Sequence, residues 1–313
     1  MSLFLGIDTS NYTTSAAVYD SVANTDVSVK KLLPVQQGRL GIRQSDAVFH
    51  HTQQFGELFS QLMSSVNGKI TAVGVSAKPR PVEGSYMPCF TVGTGYANVL
   101  STALKVPCYN FTHQHGHIAA ALYSANSTDL IGKNFISFHI SGGTTEALLT
   151  DEAFNISLVA ETLDLNAGQA VDRIGGMLGL SFPSGKALEE LALNFRGKLS
   201  RKPVPTLKGS DCCLSGLQNI CQNMYKDGKS REEVAFFCLK YIEETLYKMS
   251  VSLKEKYGDL PLVFAGGVMS NSIIKASLQK RLDCIFAKPE YSTDNAVGIA
   301  YLTALSHKQE DKR

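Results

Sequence analysis

The chain has 313 residues, 44% of them hydrophobic, and a formal net charge of +2. That length supports one large or two modest domains with real cores, and the near-zero charge excludes a global field for nucleic acid, leaving only local patches. No apolar run is long enough to span a bilayer, the opening Met1-Ser2-Leu3-Phe4 lacks a basic signal-peptide region, and seven cysteines without a CxxC pair fit reduced thiols in the cytoplasm.

Alternation and turn signals predict strands at Phe4–Asp8, Ser15–Tyr19 and Val27–Leu33, then a helix near Phe49–Ser65 and a strand at Ala72–Ser76. A helix near Gly95–Leu104 and a strand around Val106–Asn110 lead to Thr112-His113-Gln114-His115-Gly116-His117, where three of the seven histidines fall together. On a helix, His113 and His117 share one face a turn apart, the spacing two imidazoles need to grip one metal ion. The strand pattern restarts at Phe135–Ser141, Glu146–Thr150 and Asn155–Glu161, with helices from Ala167 onward. Val234, Phe237, Cys238, Tyr241, Ile242, Leu246 and Met249 give the segment from Arg231 to Tyr257 a helical apolar stripe. Leu262–Phe264 and Ile285–Ala287 read as buried strands, Ser270–Leu282 and Asn295–Leu305 as helices, with the carboxylate of Asp294 just before the last.

Two runs of consecutive short strands, each followed by helices and single strands, suggest a structural duplication. The arrangement fits two α/β lobes with a nucleotide and metal cleft between them, as in the actin/Hsp70/sugar-kinase fold. The expected division is 1–125 for the first lobe and 126–313 for the second, with the last helix a candidate to pack back on the first. In that fold each lobe opens with a hairpin whose turn approaches phosphate. Gly6-Ile7-Asp8-Thr9-Ser10 and Ile140-Ser141-Gly142-Gly143-Thr144 sit at such turns, making Asp8 and Ser10 candidate contacts. Ala265-Gly266-Gly267-Val268, after a buried strand, suits an adenosine-side loop through Gly266 and Gly267.

These blocks together resemble the TsaD family, the tRNA threonylcarbamoyladenosine transferases once called glycoproteases. The likeness covers nearly the whole chain and continues in Asn166-Ala167-Gly168-Gln169-Ala170-Val171-Asp172-Arg173, Pro183-Ser184-Gly185, Leu214-Ser215-Gly216-Leu217, Val268-Met269-Ser270-Asn271 and Ser292-Thr293-Asp294-Asn295. It implies transfer of a threonylcarbamoyl group from threonylcarbamoyl-adenylate to the N6 amine of the adenosine beside the tRNA anticodon. It implies one divalent metal ion held by His113, His117 and Asp294. It also implies contacts to the adenylate, or an ATP- or AMP-like nucleotide, from Ile140, Ser141, Gly142, Gly143, Thr144, Asp172, Gly185 and Asn271. The implied partners are tRNA and TsaB-like and TsaE-like proteins, with residues 49–66 and the helix after Val92-Gly93 as a candidate protein-facing surface.

The chain departs from that pattern at the chemistry. His115 replaces the Glu of H-x-E-G-H and is expected to point away from the metal face, as a supporting group, a solvent-facing residue or a substrate contact. His139 precedes the second Gly-rich turn and is either an extra ligand or a satisfied core histidine. Three imidazoles and a carboxylate would favour zinc or iron. Asn11-Tyr12-Thr13-Thr14 stands where the family carries an acidic pair, Lys78 to Pro88 replaces a Gly-Pro-Gly loop, and Gln218 replaces a Lys. These departures leave open a diverged paralogue that binds nucleotide and metal as a regulatory or scaffold subunit, or acts on another acceptor. A metallopeptidase is remote, because Gln114 cannot serve as the general base of an H-E-x-x-H helix. Arg196, Lys198, Arg201, Lys202 and Lys208 form an acid-free basic loop, read either as a tRNA phosphate contact or as a solvated surface.

Overall fold

The computed structural model describes residues 2–10, 12–34 and 42–310; Asn11, part of the turn that departs from the family, lies outside them. The chain divides into two compact units. The first comprises residues 1–128 together with 293–313, the second residues 129–292.

In the first unit β1 (Leu3–Asp8), β2 (Thr13–Asp20) and β3 (Thr25–Leu32) form an antiparallel meander. β4 (Ile70–Lys78) then runs parallel to β1, and β5 (Cys108–Thr112) parallel to β4, giving the order β3-β2-β1-β4-β5. Alternation along β1 decides what each side chain meets. Leu3, Leu5 and Ile7 join Phe55, Leu58 and Leu62 of α1 (Gln44–Ser64) and Ala97 of α2 (Phe90–Leu104) in one apolar cluster. Phe4, Gly6 and Asp8 point to the other side, towards α3 (His113–Ser124) and α9 (Val297–Glu310). A Cβ on Gly298 would fall 1.9 Å from the Gly116 carbonyl oxygen, so α3 and α9 cross nearly backbone to backbone. α1 starts earlier than the apolar pattern suggested, and His51 lies inside it, fully buried, with Nδ1 2.8 Å from the Thr14 hydroxyl.

The second unit repeats the topology. β6 (Phe135–Ile140), β7 (Thr145–Thr150) and β8 (Ile156–Glu161) form a meander, and β11 (Leu262–Ala265) and β12 (Cys284–Phe286) add in parallel beside β6. The strand order β12-β11-β6-β7-β8 mirrors that of the first sheet element for element, so the duplication read from the strand runs is a fact of the fold. Ile136, Phe138 and Ile140 face a core built on α4 (Ala167–Met177), α5 (Gly185–Leu193), α6 (Ser215–Lys226), α7 (Arg231–Tyr257) and α8 (Ser272–Arg281). The helix predicted from Arg231 to Tyr257 has those bounds, capped by the Ser230 hydroxyl accepting from Glu233 N–H. A short hairpin, β9 (Thr206–Lys208) with β10 (Asp211–Cys213), occupies part of the segment expected to be loop.

Candidate metal centre and nucleotide pocket

The histidine helix opens on a capping box. The Thr112 hydroxyl accepts from His115 N–H at 3.2 Å, and His115 Nδ1 lies 2.7 Å from that hydroxyl and 3.4 Å from Thr112 N. This fixes the first turn and sets His113 and His117 one above the other. Their Nε2 atoms lie 2.9 Å apart. Asp294 Oδ1 is 3.3 Å from His117 Nε2 and 3.6 Å from His113 Nε2. Among the described residues, these three form a group able to hold one metal ion.

The donor set fits a divalent ion. A tetrahedral site with bonds of about 2.0–2.1 Å spaces its ligand atoms about 3.4 Å apart, and 2.9, 3.3 and 3.6 Å bracket that value. Three protein ligands leave a fourth position open, the pattern of catalytic sites rather than structural ones. Asp8 completes the arrangement. Its Oδ2 lies 2.8 Å from His113 Nδ1, while Oδ1 accepts from Ser10 N–H at 2.9 Å. A carboxylate on Nδ1 fixes the ring and leaves Nε2 for the metal. Burial works against a charged imidazole, but the Asp8 charge, its hydrogen bond and the Asp294 charge outweigh it and lift the His113 pKa to about 9 in the metal-free protein. Thr13 donates to Asp294 Oδ2 at 3.4 Å, on the far side of the trio.

A cavity of about 670 Å³ lies wholly within the second unit. Gly142, Asp172, Gly185, Gly267 and Asn271, all expected contacts, line it. Asp172 Oδ1 accepts from Ser184 N–H at 2.8 Å, leaving Oδ2 for a ligand hydroxyl. Asn271 Oδ1 caps α8 by accepting from Ile273 and Ile274 N–H, both at 3.1 Å, so its amide nitrogen is the donor it can offer. The Ser141–Thr144 turn closes through Ser141 N–H to Thr144 O at 2.7 Å and holds α4 through Gly168 N–H to Ser141 O at 3.1 Å. Gly266, at φ 102°, packs against β6, where a Cβ would fall 2.3 Å from the Ile140 carbonyl oxygen. Ile140, Ser141, Gly143, Thr144 and Gly266 thus belong to the turns that frame the cavity. His139 stands opposite Glu146 in the β6–β7 register, on the face of β6 away from Phe138 and Ile140.

The model of the TsaD family, described as tRNA N6-adenosine threonylcarbamoyltransferase, matches residues 22–301. The chain belongs to the TsaD family. The tRNA N6-adenosine threonylcarbamoyltransferase of Nitrosomonas europaea is 28% identical over 325 residues, which cover 99% of this chain and 94% of that protein. Full-length HypF in its phosphate- and nucleotide-bound form superposes with a TM-score of 0.60 at 12% identity, over 95% of this chain but 45% of HypF. A ROK family glucokinase from Streptomyces griseus, solved with glucose and AMPPNP, gives 0.53 at 12% identity over 96% of this chain and 98% of its own. These likenesses establish the actin/Hsp70/sugar-kinase fold. The chain is accordingly a transferase by family.

Against the TsaD pattern, each departure has a definite place. His115 occupies the third helical position of the capping box, where a Glu commonly reaches back, and its imidazole does the same. The Pro-rich segment after β4 stays tied to the histidine helix, because the Pro79 carbonyl accepts from Gln114 N–H at 3.1 Å. Thr13 and Thr14, beyond Asn11, face Asp294 and His51. Gln218 accepts from Arg173 at 3.3 Å, joining α6 to α4. Arg196, Lys198, Arg201, Lys202 and Lys208 are all exposed, and Lys208 stands opposite Asp211 in the β9–β10 hairpin. Two links of the candidate metal centre have no signal in the sequence. Asp8 was expected to face phosphate, and the contact of α3 with α9 gave no local signal beyond Gly116 and Gly298.

Proposed function

We propose that this chain transfers a threonylcarbamoyl group from threonylcarbamoyl-adenylate to the N6 amine of the adenosine next to the anticodon of tRNA, in a metal-dependent reaction. The observation that carries the reading is the trio of His113, His117 and Asp294, buttressed by Asp8, in a TsaD-family chain.

In the reaction the amine nitrogen attacks the carbamoyl carbon of the mixed anhydride, the C–O bond to phosphate breaks, AMP leaves with the bond pair, and the amine loses a proton. A divalent ion at the open site, iron or zinc by its donor set, would supply Lewis-acid stabilisation of substrate oxygen. His113 and His117 hold that position, Asp8 keeps the His113 ring oriented, and Thr13 restrains Asp294. Asp172 and Asn271, which line the cavity of the second unit, would orient the adenylate, which matters because the electrophile is already activated. His139 remains a candidate further ligand, testable by metal titration of His139→Ala.

tRNA and TsaB-like and TsaE-like proteins are the proposed partners, and the cytoplasm the proposed compartment. All seven cysteines are free, and no helix of the described residues is long and apolar enough to cross a membrane. The deciding experiment supplies threonylcarbamoyl-adenylate, metal and cognate partner proteins to unmodified tRNA. Modified adenosine that disappears with His113→Ala supports the reading. No product from a chain that still binds metal and adenylate would make it a repurposed paralogue.

A further inference from the structure

Strand alternation sends Lys30 to the face of the first sheet that carries Asp8. Lys30 stands opposite Ser15 in the β2–β3 register, and Ser15 opposite Asp8 in the β1–β2 register. Cross-strand partners share a face, so the three form one row on the side of α3 and α9. Lys30 Nζ donates to the Thr293 hydroxyl at 2.8 Å, a contact across 263 positions. Thr293 directly precedes Asp294, and consecutive Cα atoms lie about 3.8 Å apart. The Lys30 ammonium thus ends one residue from the carboxylate of the trio. Its anchor is fixed by the turn into α9: the Thr293 carbonyl accepts from the Asn295 side-chain amide at 2.7 Å, and Asn295 Oδ1 accepts from Val297 N–H at 3.1 Å. The trio is most open on this side. The Asp294 side chain is 24% exposed, against 12% for His113 and 11% for His117. Lys30 and Thr293 are themselves exposed, so they border the approach to Asp294.

A divalent ion held by neutral imidazoles would be balanced by the Asp8 and Asp294 carboxylates, leaving little net attraction for a further anion. Lys30 supplies the positive charge that this balance lacks. The proposed transfer gives it a partner. A threonylcarbamoyl group keeps the free α-carboxylate of its amino acid, separated from the carbamoyl carbon only by a nitrogen and Cα. We infer that Lys30 is a specificity-determining residue for the donor, pairing with that carboxylate beside the candidate metal centre. An ammonium carries several N–H donors, so Nζ can stay on Thr293 and still reach the ligand. The match is to the carboxylate and not to the amino-acid side chain. Lys30 therefore selects an amino-acid-derived carbamoyl group over a plain one, and discrimination among amino acids belongs to other groups. The assignment rests on the transfer reading above and adds to it the recognition of the donor's acidic end.

Two stable probes test the pairing: N-carbamoyl-L-threonine and its C-terminal amide, titrated calorimetrically into the zinc-loaded full chain. The unaltered chain is expected to bind the acid about three- to tenfold more tightly than the amide, the gain of one partly exposed ion pair. Lys30→Gln should erase that preference by weakening the acid alone, and Lys30→Arg should keep it. Zinc affinity, read with a chelating indicator, should stay within about twofold in both variants. Because Lys30 is exposed, neither change threatens folding. An acid preference that survives Lys30→Gln overturns the assignment, since another group then takes the carboxylate. Equal weakening of acid and amide, with or without loss of zinc, overturns it too, by making Lys30 a brace for Asp294. If the unaltered chain modifies tRNA but shows no acid preference, or binds neither probe, the assignment fails and the transfer reading stands. If it holds zinc yet neither binds the probes nor modifies tRNA, the transfer reading fails and the assignment falls with it.

Discussion

Asp8 Oδ2 and His113 Nδ1, 105 positions apart in sequence, lie 2.8 Å from each other. The link makes a β1 residue the orienting partner of a candidate metal ligand on α3. Asp8→Asn preserves shape but not the acceptor charge. It is expected to lower divalent-metal affinity 10- to 100-fold, read by competition with a chelating indicator. Unchanged affinity would show that Asp8 serves the substrate instead.

The same link sets a pH dependence. In the metal-free protein the His113 pKa is raised from 6.5 to about 9. A group raised on folding stabilises fully below its unfolded value and loses that contribution as pH rises through its folded value. The thermal midpoint of the metal-free chain should therefore fall between pH 6.5 and pH 9. Metal binding in that window must displace the His113 proton, so affinity should rise with pH. Calorimetry in two buffers of different ionisation enthalpy counts the proton released.

His115→Glu should be close to neutral in stability and in metal binding, since the family residue can complete the same capping box. His115→Ala should cost about 1 kcal/mol of stability and leave metal affinity within about twofold. A large loss of metal with His115→Ala would promote this residue from helix cap to ligand. Denaturant melts and metal titrations on the two variants decide.

Gly298→Ala introduces a Cβ at 1.9 Å from the Gly116 carbonyl oxygen, on backbone that cannot swing aside. Stability should fall by about 1–3 kcal/mol as α3 and α9 are pushed apart. Asp294 precedes α9, so metal affinity should fall with it. Gly142→Ala, whose Cβ would meet open space, serves as the control.

Arg196, Lys198, Arg201, Lys202 and Lys208 contribute five positive charges, with no acid, to a chain whose net charge is +2. Neutralising Arg196, Lys198, Arg201 and Lys202 together should weaken tRNA binding and flatten its dependence on salt, by up to about 0.9 in logarithmic slope for each phosphate no longer neutralised. An unchanged slope would mark the segment as ordinary solvated surface.

Periodic signals carried most of the architecture. The two strand meanders and the Arg231–Tyr257 helix were legible because each element repeats its apolar spacing over several residues. The i, i+4 spacing of His113 and His117 likewise put two of the three groups of the candidate metal centre on one helix face. What could not be read were relationships rather than elements. Nothing local to Asp8 says that α3 packs on its side of β1. The hairpin β9–β10 has three residues a side, too short for an alternating pattern, and Pro203 and Pro205 just before it read as loop. His115 looked like a lost acid because a helix cap is recognised by its usual residue types, and imidazole is an unusual one.

The chain enters its first unit, leaves for the whole of the second, and returns at Thr293 with Asp294 and α9. On a ribosome, the second unit can finish folding while the first still lacks a helix and a ligand. At about 5–20 residues per second, roughly ten to thirty seconds separate the end of the first segment from the arrival of Asp294. Any metal taken up by this trio would therefore be gripped in full only near the end of synthesis, and a nascent chain stalled before Asp294 would carry the two histidines without the carboxylate beside them.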